Sequence, residues 1–297
     1  MKVGIQLPEV ERVVRWPELQ AMAIAVESGG FDSIWVGDHL LYRTRVGTRG
    51  PWEAWTQLAA IAAVTQRVEL GPLVAALPFH EPAMLAKMAS TVDEISGGRL
   101  VFGVGAGWNQ DEFAAFGIPF DRRVSRFAEA FEIIRRLMAG DEVSWEGEYY
   151  HLDRCVLLPG SDRQGAPPFM VGSNRPRMLA ITLPHASSWN SWFTDFQNDP
   201  DRLPDLLARI DEACVLADRD PASLERTVAL FVGLEEGSGR RGTEVPPISG
   251  SDEHVADTLH RVASTGIGHV QLVLDPITLD SIDRMTEILD LYRSRYP

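Results

Sequence analysis

The chain has 297 residues, of which 45% are hydrophobic and 24% are charged, and this is the composition of a folded globular protein rather than a disordered one. Its 28 Lys and Arg against 42 Asp and Glu give a formal net charge of −14, so nucleic acid and anionic membranes are poor partners and a small-molecule substrate is expected. The two cysteines, Cys155 and Cys214, fit no disulfide or metal-binding pattern, and no metal site is predicted. Because the N-terminus has no signal-peptide pattern, the expected location is cytoplasmic.

Short β-branched runs alternate with helical patterns along the whole chain. The predicted strands are Val3–Leu7, Ser33–Val36, Val68–Val74, Leu100–Val104, Phe169–Val171, Ser187–Trp189, Thr227–Val232 and Val270–Leu274. Between them, apolar residues recur at helical spacing, for example from Leu19 to Val26 and from Phe127 to Leu137. Alternating strands and helices imply parallel strands with right-handed crossovers, and eight such units close a barrel. We therefore predict an α/β fold, a (β/α)8 TIM barrel that forms a single domain over residues 1–297.

An open doubly wound sheet is the main alternative fold. It is disfavoured because Leu7-Pro8-Glu9 follows the first strand where such a sheet carries a glycine-rich turn. Two segments depart from the strand-helix alternation. Residues 142–158 alternate around Glu146-Gly147 and predict an inserted β-hairpin. Residues 235–250, rich in Gly, Pro and Arg, predict a long loop after the seventh strand, either a lid or a tolerated insertion.

Candidate chemistry is expected at the carboxyl ends of the strands, where barrel enzymes carry their active sites. The second strand is followed by Asp38 and His39, and an Asp that orients a His suits proton transfer or a hydrogen bond to a cofactor ring. The alternative is a histidine that only satisfies loop backbone. The third strand runs into Leu73, Val74 and Ala75, an apolar stretch that forms either a wall for a flat ring or part of the core.

The fourth and fifth strands are followed by glycine-rich segments. Gly103-Val104-Gly105-Ala106-Gly107-Trp108 brings bare backbone close to a ligand or to a neighbouring strand. The Arg122, Arg123 and Arg126 cluster downstream binds an anion or forms a salt-bridged helix face. Gly172-Ser173-Asn174 before Pro176 is the local chemistry of a phosphate pocket at a helix start. Asn190, after the sixth strand, can bind the edge of a heterocycle.

Several segments together carry a resemblance to a known family. They are Gly29–Leu40, Leu58–Leu77, Ser96–Phe120, Arg126–Gly140 and Pro167–Leu179. In this order, and over nearly the full chain, they resemble the bacterial luciferase-like monooxygenase superfamily, and more narrowly its branch that uses the deazaflavin coenzyme F420. The Gly37-Asp38-His39 motif and the Ser96–Trp108 block are its most specific parts.

The resemblance implies that a flavin-type ring lies in the mouth of the barrel, with the substrate above it. His39 would be the catalytic residue near the reactive edge of the ring, and Leu73–Val74 would form a non-prolyl cis peptide beneath it. The implied cofactor-binding residues are Asp38, His39, Leu73, Val74, Ala75, Gly105, Ala106, Gly107, Trp108, Gly172, Ser173, Asn174 and Asn190. Arg123 or Arg126 would assist at the phosphate, and a homodimer is an assembly that the resemblance suggests.

One departure from the family bears on the substrate. Deazaflavin-dependent sugar-phosphate dehydrogenases carry a glutamate where this chain has Trp108, so the expected substrate is apolar or aromatic, held by Trp16, Trp52, Trp108 or Trp192. The predicted function is an F420-dependent oxidoreductase that transfers a hydride to or from a small organic molecule. The alternatives are an FMN-dependent monooxygenase that uses molecular oxygen and a cofactor-binding protein without turnover.

Overall fold

A computed structural model describes residues 1–44, 47–160, 163, 165–234 and 245–297. In chain order the strands are β1 (Lys2–Gln6), β2 (Ser33–Val36), β3 (Tyr42–Thr44), β4 (Gly47–Arg49), β5 (Glu69–Pro72), β6 (Ala75–Ala76), β7 (Phe102–Gly105), β8 (Val143–Glu146), β9 (His151–Cys155), β10 (Phe169–Val171), β11 (Ser188–Ser191), β12 (Glu225–Gly233) and β13 (His269–Asp275). The α-helices are α1 (Trp16–Ser28), α2 (Ala54–Val64), α3 (Pro82–Ser96), α4 (Gln110–Ala115), α5 (Arg123–Met138), α6 (Pro176–Thr182), α7 (Leu203–Leu216), α8 (Asp252–Ser264) and α9 (Leu279–Arg295). No helix within these described ranges is long and apolar enough to span a membrane.

Every strand predicted from the sequence is present, with small shifts of its ends. The predicted strand Val68–Val74 is observed as the shorter β5, which ends at Pro72, and β6 begins beyond the predicted end, at Ala75. The predicted hairpin is confirmed as the antiparallel pair β8 and β9. A second hairpin, β3 with β4, was not predicted, since its short polar strands have no apolar alternation.

The chain forms two compact units. In the unit of Met1–Trp35 and Gly172–Pro297, five strands pair in parallel in the order β2, β1, β13, β12, β11. One face of this sheet is apolar, with Ile5, Val270 and Leu272 fully buried. The other face carries buried polar side chains at matching register positions, namely Gln6, Ser33, Asn190, Thr227, His269 and Gln271.

His269 lies on this polar face and is 3% exposed. Its Nε2 lies 2.7 Å from the hydroxyl of Ser33, which itself accepts a hydrogen bond from the indole Nε1 of Trp35 at 2.7 Å. Burial, together with the positive charges of Lys2 and the N-terminus, lowers the pKa of His269 to about 3. His269 is therefore a neutral core histidine.

In the unit of Val36–Val171, β10, β7 and β6 pair in parallel, and Leu70 of β5 forms a parallel bridge with Leu100, just before β7. Its core is a chain of aromatic contacts, in which Phe102 meets Trp55 at 5.0 Å and Phe169 at 5.5 Å between ring centroids. The β8–β9 hairpin is fastened to α5, because the carboxylate of Glu129 accepts from the backbone N–H groups of Glu148 and Tyr149.

The predicted loop after the seventh strand lies partly outside the described residues, which exclude 235–244. Its described end runs beside β12, where Ile248 N donates to Phe231 O and Gly233 N donates to Ile248 O. The prediction that this loop is a lid stays a prediction.

Candidate active site

The residues predicted to form the site fall into two groups. Asp38, His39, Leu73, Val74, Ala75, Gly105, Ala106, Gly107 and Trp108 belong to the unit of Val36–Val171. Gly172, Ser173, Asn174 and Asn190 belong to the other unit.

His39 follows β2 and is held by a carboxylate that lies far away in the sequence. Its Nδ1 lies 3.0 Å from Oε1 and 3.2 Å from Oε2 of Glu112 on α4. Oε2 also accepts a hydrogen bond of 2.9 Å from the backbone N–H of Leu40. The Glu112 side chain is 0% exposed and that of His39 is 18% exposed. The imidazole is therefore fixed through Nδ1.

The prediction that Asp38 orients His39 is wrong. Asp38 Oδ2 instead accepts from the backbone N–H of Ala76 at 2.9 Å and lies 3.0 Å from Nε2 of His80. Asp38 and His39 thus reach different partners. Asp38 thereby ties the end of β2 to β6.

The His80 imidazole is charge-paired and mostly buried. Burial disfavours its protonated form, but the hydrogen bond and the charge of Asp38, with the charge of Glu53, outweigh burial and raise the pKa of His80 above its ordinary value. His80 and Asp38 thus form a second histidine–carboxylate pair within the same unit. Asp38 of this pair also holds the backbone N–H of Ala76.

Two aromatic side chains flank His39. The ring centroid of Tyr42 lies 4.7 Å from that of His39, and the ring centroid of Trp108 lies 5.8 Å from it. Trp108 is 64% exposed, which is far more than a tryptophan in a protein core. This aromatic group, Tyr42 and Trp108 around His39, offers an open apolar surface beside the imidazole.

The glycines of the fourth strand are required by packing within the unit. A Cβ on Gly103 would lie 2.1 Å from Pro72 O, and a Cβ on Gly107, which has a φ of +73°, would lie 2.8 Å from the ring of Phe113. Ala75 pairs with Val104 next to them. The sequence left open whether these glycines approach a ligand or a neighbouring strand. For Gly103 and Gly107 the contacts support close approach to neighbouring parts of the protein.

The arginine cluster is engaged with the protein. Arg123 Nε donates to Gly107 O at 3.2 Å, and Arg126 stacks on the ring of Tyr149 at 4.4 Å. Arg122 pairs with Glu148. Arg123 therefore positions the loop that carries Trp108.

In the other unit, the segment predicted to hold a phosphate precedes α6. Asn174 Nδ2 donates to Ser191 Oγ at 2.9 Å and to Asp195 Oδ2 at 2.8 Å, so the amide hydrogens of Asn174 are used within the protein. Ser173 Oγ accepts from the N–H of Arg175 and keeps its hydroxyl hydrogen as a donor. The remaining donors for an anion are therefore the Ser173 hydroxyl and the exposed Arg175 side chain.

Asn190 lies within the polar face of the sheet and is 4% exposed. Its Nδ2 donates to Thr227 Oγ1 at 2.8 Å and to Gln271 Oε1 at 2.6 Å. The Nε2 atom of Gln271 is buried and makes no hydrogen bond. The Asn190 side chain is thus part of a buried amide cluster. This arrangement fits a structural role, and it also fits contact with a ligand.

Glu112, His80 and Tyr42 were missed as site residues in the sequence. The only local signal for Glu112 is an acid beside the apolar Phe113 on a short helix, and it does not specify a partner 73 residues away. Tyr42 belongs to the hairpin that was not predicted.

The chain is similar to a known protein family and to several of its characterised members. The model of the luciferase-like monooxygenase family matches residues 1–240. The 5,10-methylenetetrahydromethanopterin reductase of Archaeoglobus fulgidus is 34% identical over 183 residues, which cover 61% of this chain and 50% of that protein. An F420-dependent glucose-6-phosphate dehydrogenase of Amycolatopsis mediterranei is 36% identical over 140 residues, which cover 46% of this chain and 41% of that protein. The matches span about half or less of the length of these two relatives.

A solved structure gives a likeness over almost the whole chain. It is an F420-dependent secondary alcohol dehydrogenase in complex with an F420-acetone adduct, and it matches with a TM-score of 0.83 and 20% identity, over 98% of this chain and 99% of that one. A structural similarity at this level of sequence identity shows the fold, and it confirms the predicted (β/α)8-barrel class.

Proposed function

Because the chain belongs to the luciferase-like monooxygenase family, we propose that it is a deazaflavin-dependent oxidoreductase that uses coenzyme F420. The observation that carries the proposal is His39, fixed through Nδ1 by the buried Glu112 while an exposed aromatic group lies beside it. The F420-dependent glucose-6-phosphate dehydrogenase at 36% identity supports this cofactor class.

The residues present fit such a cofactor in part. An exposed indole at Trp108 suits contact with a planar ring. Ser173 and Arg175 are the donors suited to a phosphate, whereas the carboxylate of Asp195 near Asn174 opposes an anion at that amide. We therefore expect the ring to be held by the Val36–Val171 unit.

When bound, the deazaflavin supplies a ring carbon that carries a hydride and has little chemistry with oxygen. The protein's own part is proton transfer and orientation. His39 Nε2 gives a proton to the substrate or takes one from it, while Glu112 holds the ring of His39 in place. Trp108 and Tyr42 shield the reacting atoms from water on one side.

The substrate that fits best is a small apolar or aromatic molecule. Among the described residues around His39, the ring neighbours are Tyr42 and Trp108. An aromatic surface of this kind binds apolar groups, and the single imidazole can serve one hydroxyl or carbonyl group. Three of the four tryptophans proposed to hold the substrate, Trp16, Trp52 and Trp192, lie outside this group.

The test is a titration of the purified protein with the oxidised deazaflavin and, separately, with FMN, followed by tryptophan fluorescence. We expect saturable quenching by the deazaflavin at micromolar concentration and at least about tenfold weaker binding of FMN, a difference of about 1.4 kcal/mol. Tight FMN binding without a response to the deazaflavin would instead identify an FMN-dependent monooxygenase.

Turnover then separates an enzyme from a binding protein. The protein with bound deazaflavin is mixed with a panel of small alcohols and carbonyl compounds, and the absorbance of the oxidised coenzyme is followed. A change that depends on both protein and substrate supports the oxidoreductase. Binding without any turnover across the panel, and no effect of His39→Gln on binding, would support a cofactor-binding protein.

A further inference from the structure

A cavity of about 430 Å³ lies in the unit of Met1–Trp35 and Gly172–Pro297. Its walls are the loop before α7, residues 246–249 after β12, and one face of α8. None of the residues that line it belongs to the candidate active site. We propose that this cavity is a second binding site, which takes a small organic anion, a carboxylate or a phosphate monoester with an apolar body.

Two guanidinium groups from different elements line the cavity. Arg202 directly precedes α7, and Arg261 lies on α8. The contact of Arg202 with a carboxylate is loose, with 3.9 Å between its Nε and Oδ2 of Asp199. Arg261 uses Nη2 to donate to Oδ1 of Asp201 at 2.7 Å. Because a guanidinium group has five N–H donors, each of these arginines keeps donors for a ligand.

Hydrogen-bond donors and positive charge dominate the lining of the cavity. The imidazole of His254 and the hydroxyl of Ser249 also line it. Among the described residues of the lining, Asp199 is the one carboxylate, and its Oδ1 already accepts from the backbone N–H of Asp201 at 3.0 Å. Two guanidinium groups against one carboxylate give the lining a net positive charge in a chain whose net charge is −14. The lining therefore favours an oxyanion, which guanidinium groups bind well.

One wall of the cavity is fixed by Asn198, whose residue is 6% exposed. Its Nδ2 donates to Phe231 O at 2.8 Å and to Pro246 O at 3.1 Å, and its Oδ1 accepts from Phe231 N at 3.0 Å. These bonds fasten the loop before α7 both to β12 and to the segment that follows β12. A wall that is already ordered loses little conformational freedom when a ligand binds, and this favours binding.

The rest of the lining is apolar. It consists of Pro200, Pro246, Pro247 and Ile248. An inorganic anion would leave this surface in water, whereas an anion with a small apolar body would cover it. Apolar walls with a few polar groups that fix the orientation are the usual features of a small-molecule site. We therefore expect an organic anion to bind more tightly than an inorganic one.

The test is isothermal titration calorimetry of the full chain with phenyl phosphate, benzoate, inorganic phosphate and benzyl alcohol. We expect at least one of the two organic anions to bind with a Kd on the order of 0.1 to 1 mM, and the tighter of them identifies the preferred oxyanion. Inorganic phosphate should bind at least about tenfold more weakly, and benzyl alcohol should not bind measurably. Absence of binding by both organic anions, or inorganic phosphate that binds as tightly as they do, would overturn the proposal.

Two substitutions locate the bound anion. Arg202→Gln and Arg261→Gln should each raise the Kd at least about fivefold. Both side chains are largely exposed, at 62% and 48%, so the variants should fold, and circular dichroism checks this. The matched control is Arg209→Gln, an exposed arginine of α7 outside the cavity, which should change the Kd less than about twofold. Equal losses in all three variants would show a general charge effect and overturn the proposal.

Two further variants separate the cavity from other places where an anion could bind. Ser249→Trp fills the cavity without removing a charge, and it should abolish binding of the organic anion. Arg175→Gln removes a donor of the candidate active site and should leave the Kd unchanged. Binding retained in Ser249→Trp, or lost in Arg175→Gln, would contradict the assignment. Because no deazaflavin is present in these titrations, their outcome does not depend on the proposed function.

Discussion

Two histidine–carboxylate pairs in the Val36–Val171 unit share residue types but differ in their surroundings. His39 is bonded through Nδ1 to Glu112, and an exposed indole lies beside it. His80 is bonded through Nε2 to Asp38, which also holds the backbone N–H of Ala76. The first pair lies beside an open aromatic surface, whereas the second supports a strand end. Whether a histidine–carboxylate pair is a candidate for catalysis therefore depends on the groups that surround the pair.

The largest expected effect distinguishes the two imidazoles by chemistry. His39→Gln removes the proton-transfer group, so turnover on a substrate found in the panel should fall about 100-fold or more. His80→Gln should lower turnover less than about tenfold when rates are corrected for the folded fraction. Steady-state kinetics measures both variants. An equal loss in the two would contradict the contrast between them.

The second prediction concerns stability. Asp38→Asn leaves the amide to serve both Ala76 N–H and His80, and it removes the charge that pairs with His80. We expect the free energy of unfolding to fall by about 1 to 3 kcal/mol, as measured by urea denaturation. Asp111→Asn, at an exposed position, should change it by less than about 0.5 kcal/mol. If Asp38→Asn lowers the free energy of unfolding by less than about 0.5 kcal/mol, the Asp38–His80 pair does not support β6.

The same variant has a pH signature. The pKa of His80 is raised in the folded state, so its contribution to stability is complete below the unfolded pKa of about 6.5 and is lost as the pH rises through the folded value. The difference in unfolding free energy between the parent and Asp38→Asn should therefore shrink as the pH rises above about 6.5. A difference that grows with pH would reverse the assigned sign.

A third prediction extends the contrast to His269, whose partner is the neutral hydroxyl of Ser33. Its pKa of about 3 is below the unfolded value, so stability is complete above about pH 6.5 and falls as the pH drops. Relative to His269→Gln, the parent should lose about 2 kcal/mol between pH 6.5 and pH 5. Urea unfolding at both pH values measures this. An NMR titration in which His269 protonates near pH 6.5 would refute it.

The smallest expected effect concerns the aromatic group. Trp108→Ala should raise the dissociation constant of the deazaflavin or the KM of the substrate about threefold to tenfold, which corresponds to about 1 kcal/mol. The matched control is Phe116→Ala, another exposed aromatic of the same segment at 55% exposure. Fluorescence titration and steady-state kinetics compare the two. Equal effects would show that Trp108 has no special contact with the ligand.

The sequence predicted the strands because their spacing depends on local patterns of apolar residues. Ser33–Val36 and Phe169–Val171 were predicted with the observed ends. The Leu73–Val74 cis peptide lies where the family resemblance placed it. His39 was likewise found from its position after a strand.

The partners of these residues could not be read from the sequence. Asp38 and His39 are neighbours in the chain, yet their partners are His80 and Glu112, which lie 42 and 73 residues away. Such pairings depend on how α4 and β6 pack after folding, and no local pattern encodes that. The β3–β4 hairpin was not predicted for a related reason, since its polar strands show no alternation of apolar and polar residues.

The most direct test of the proposed function is a crystal structure of the protein with oxidised deazaflavin. We expect the ring to lie against Leu73–Val74 with its reactive edge toward His39. A deazaflavin bound away from His39, or a site that accepts FMN and excludes the deazaflavin, would contradict it.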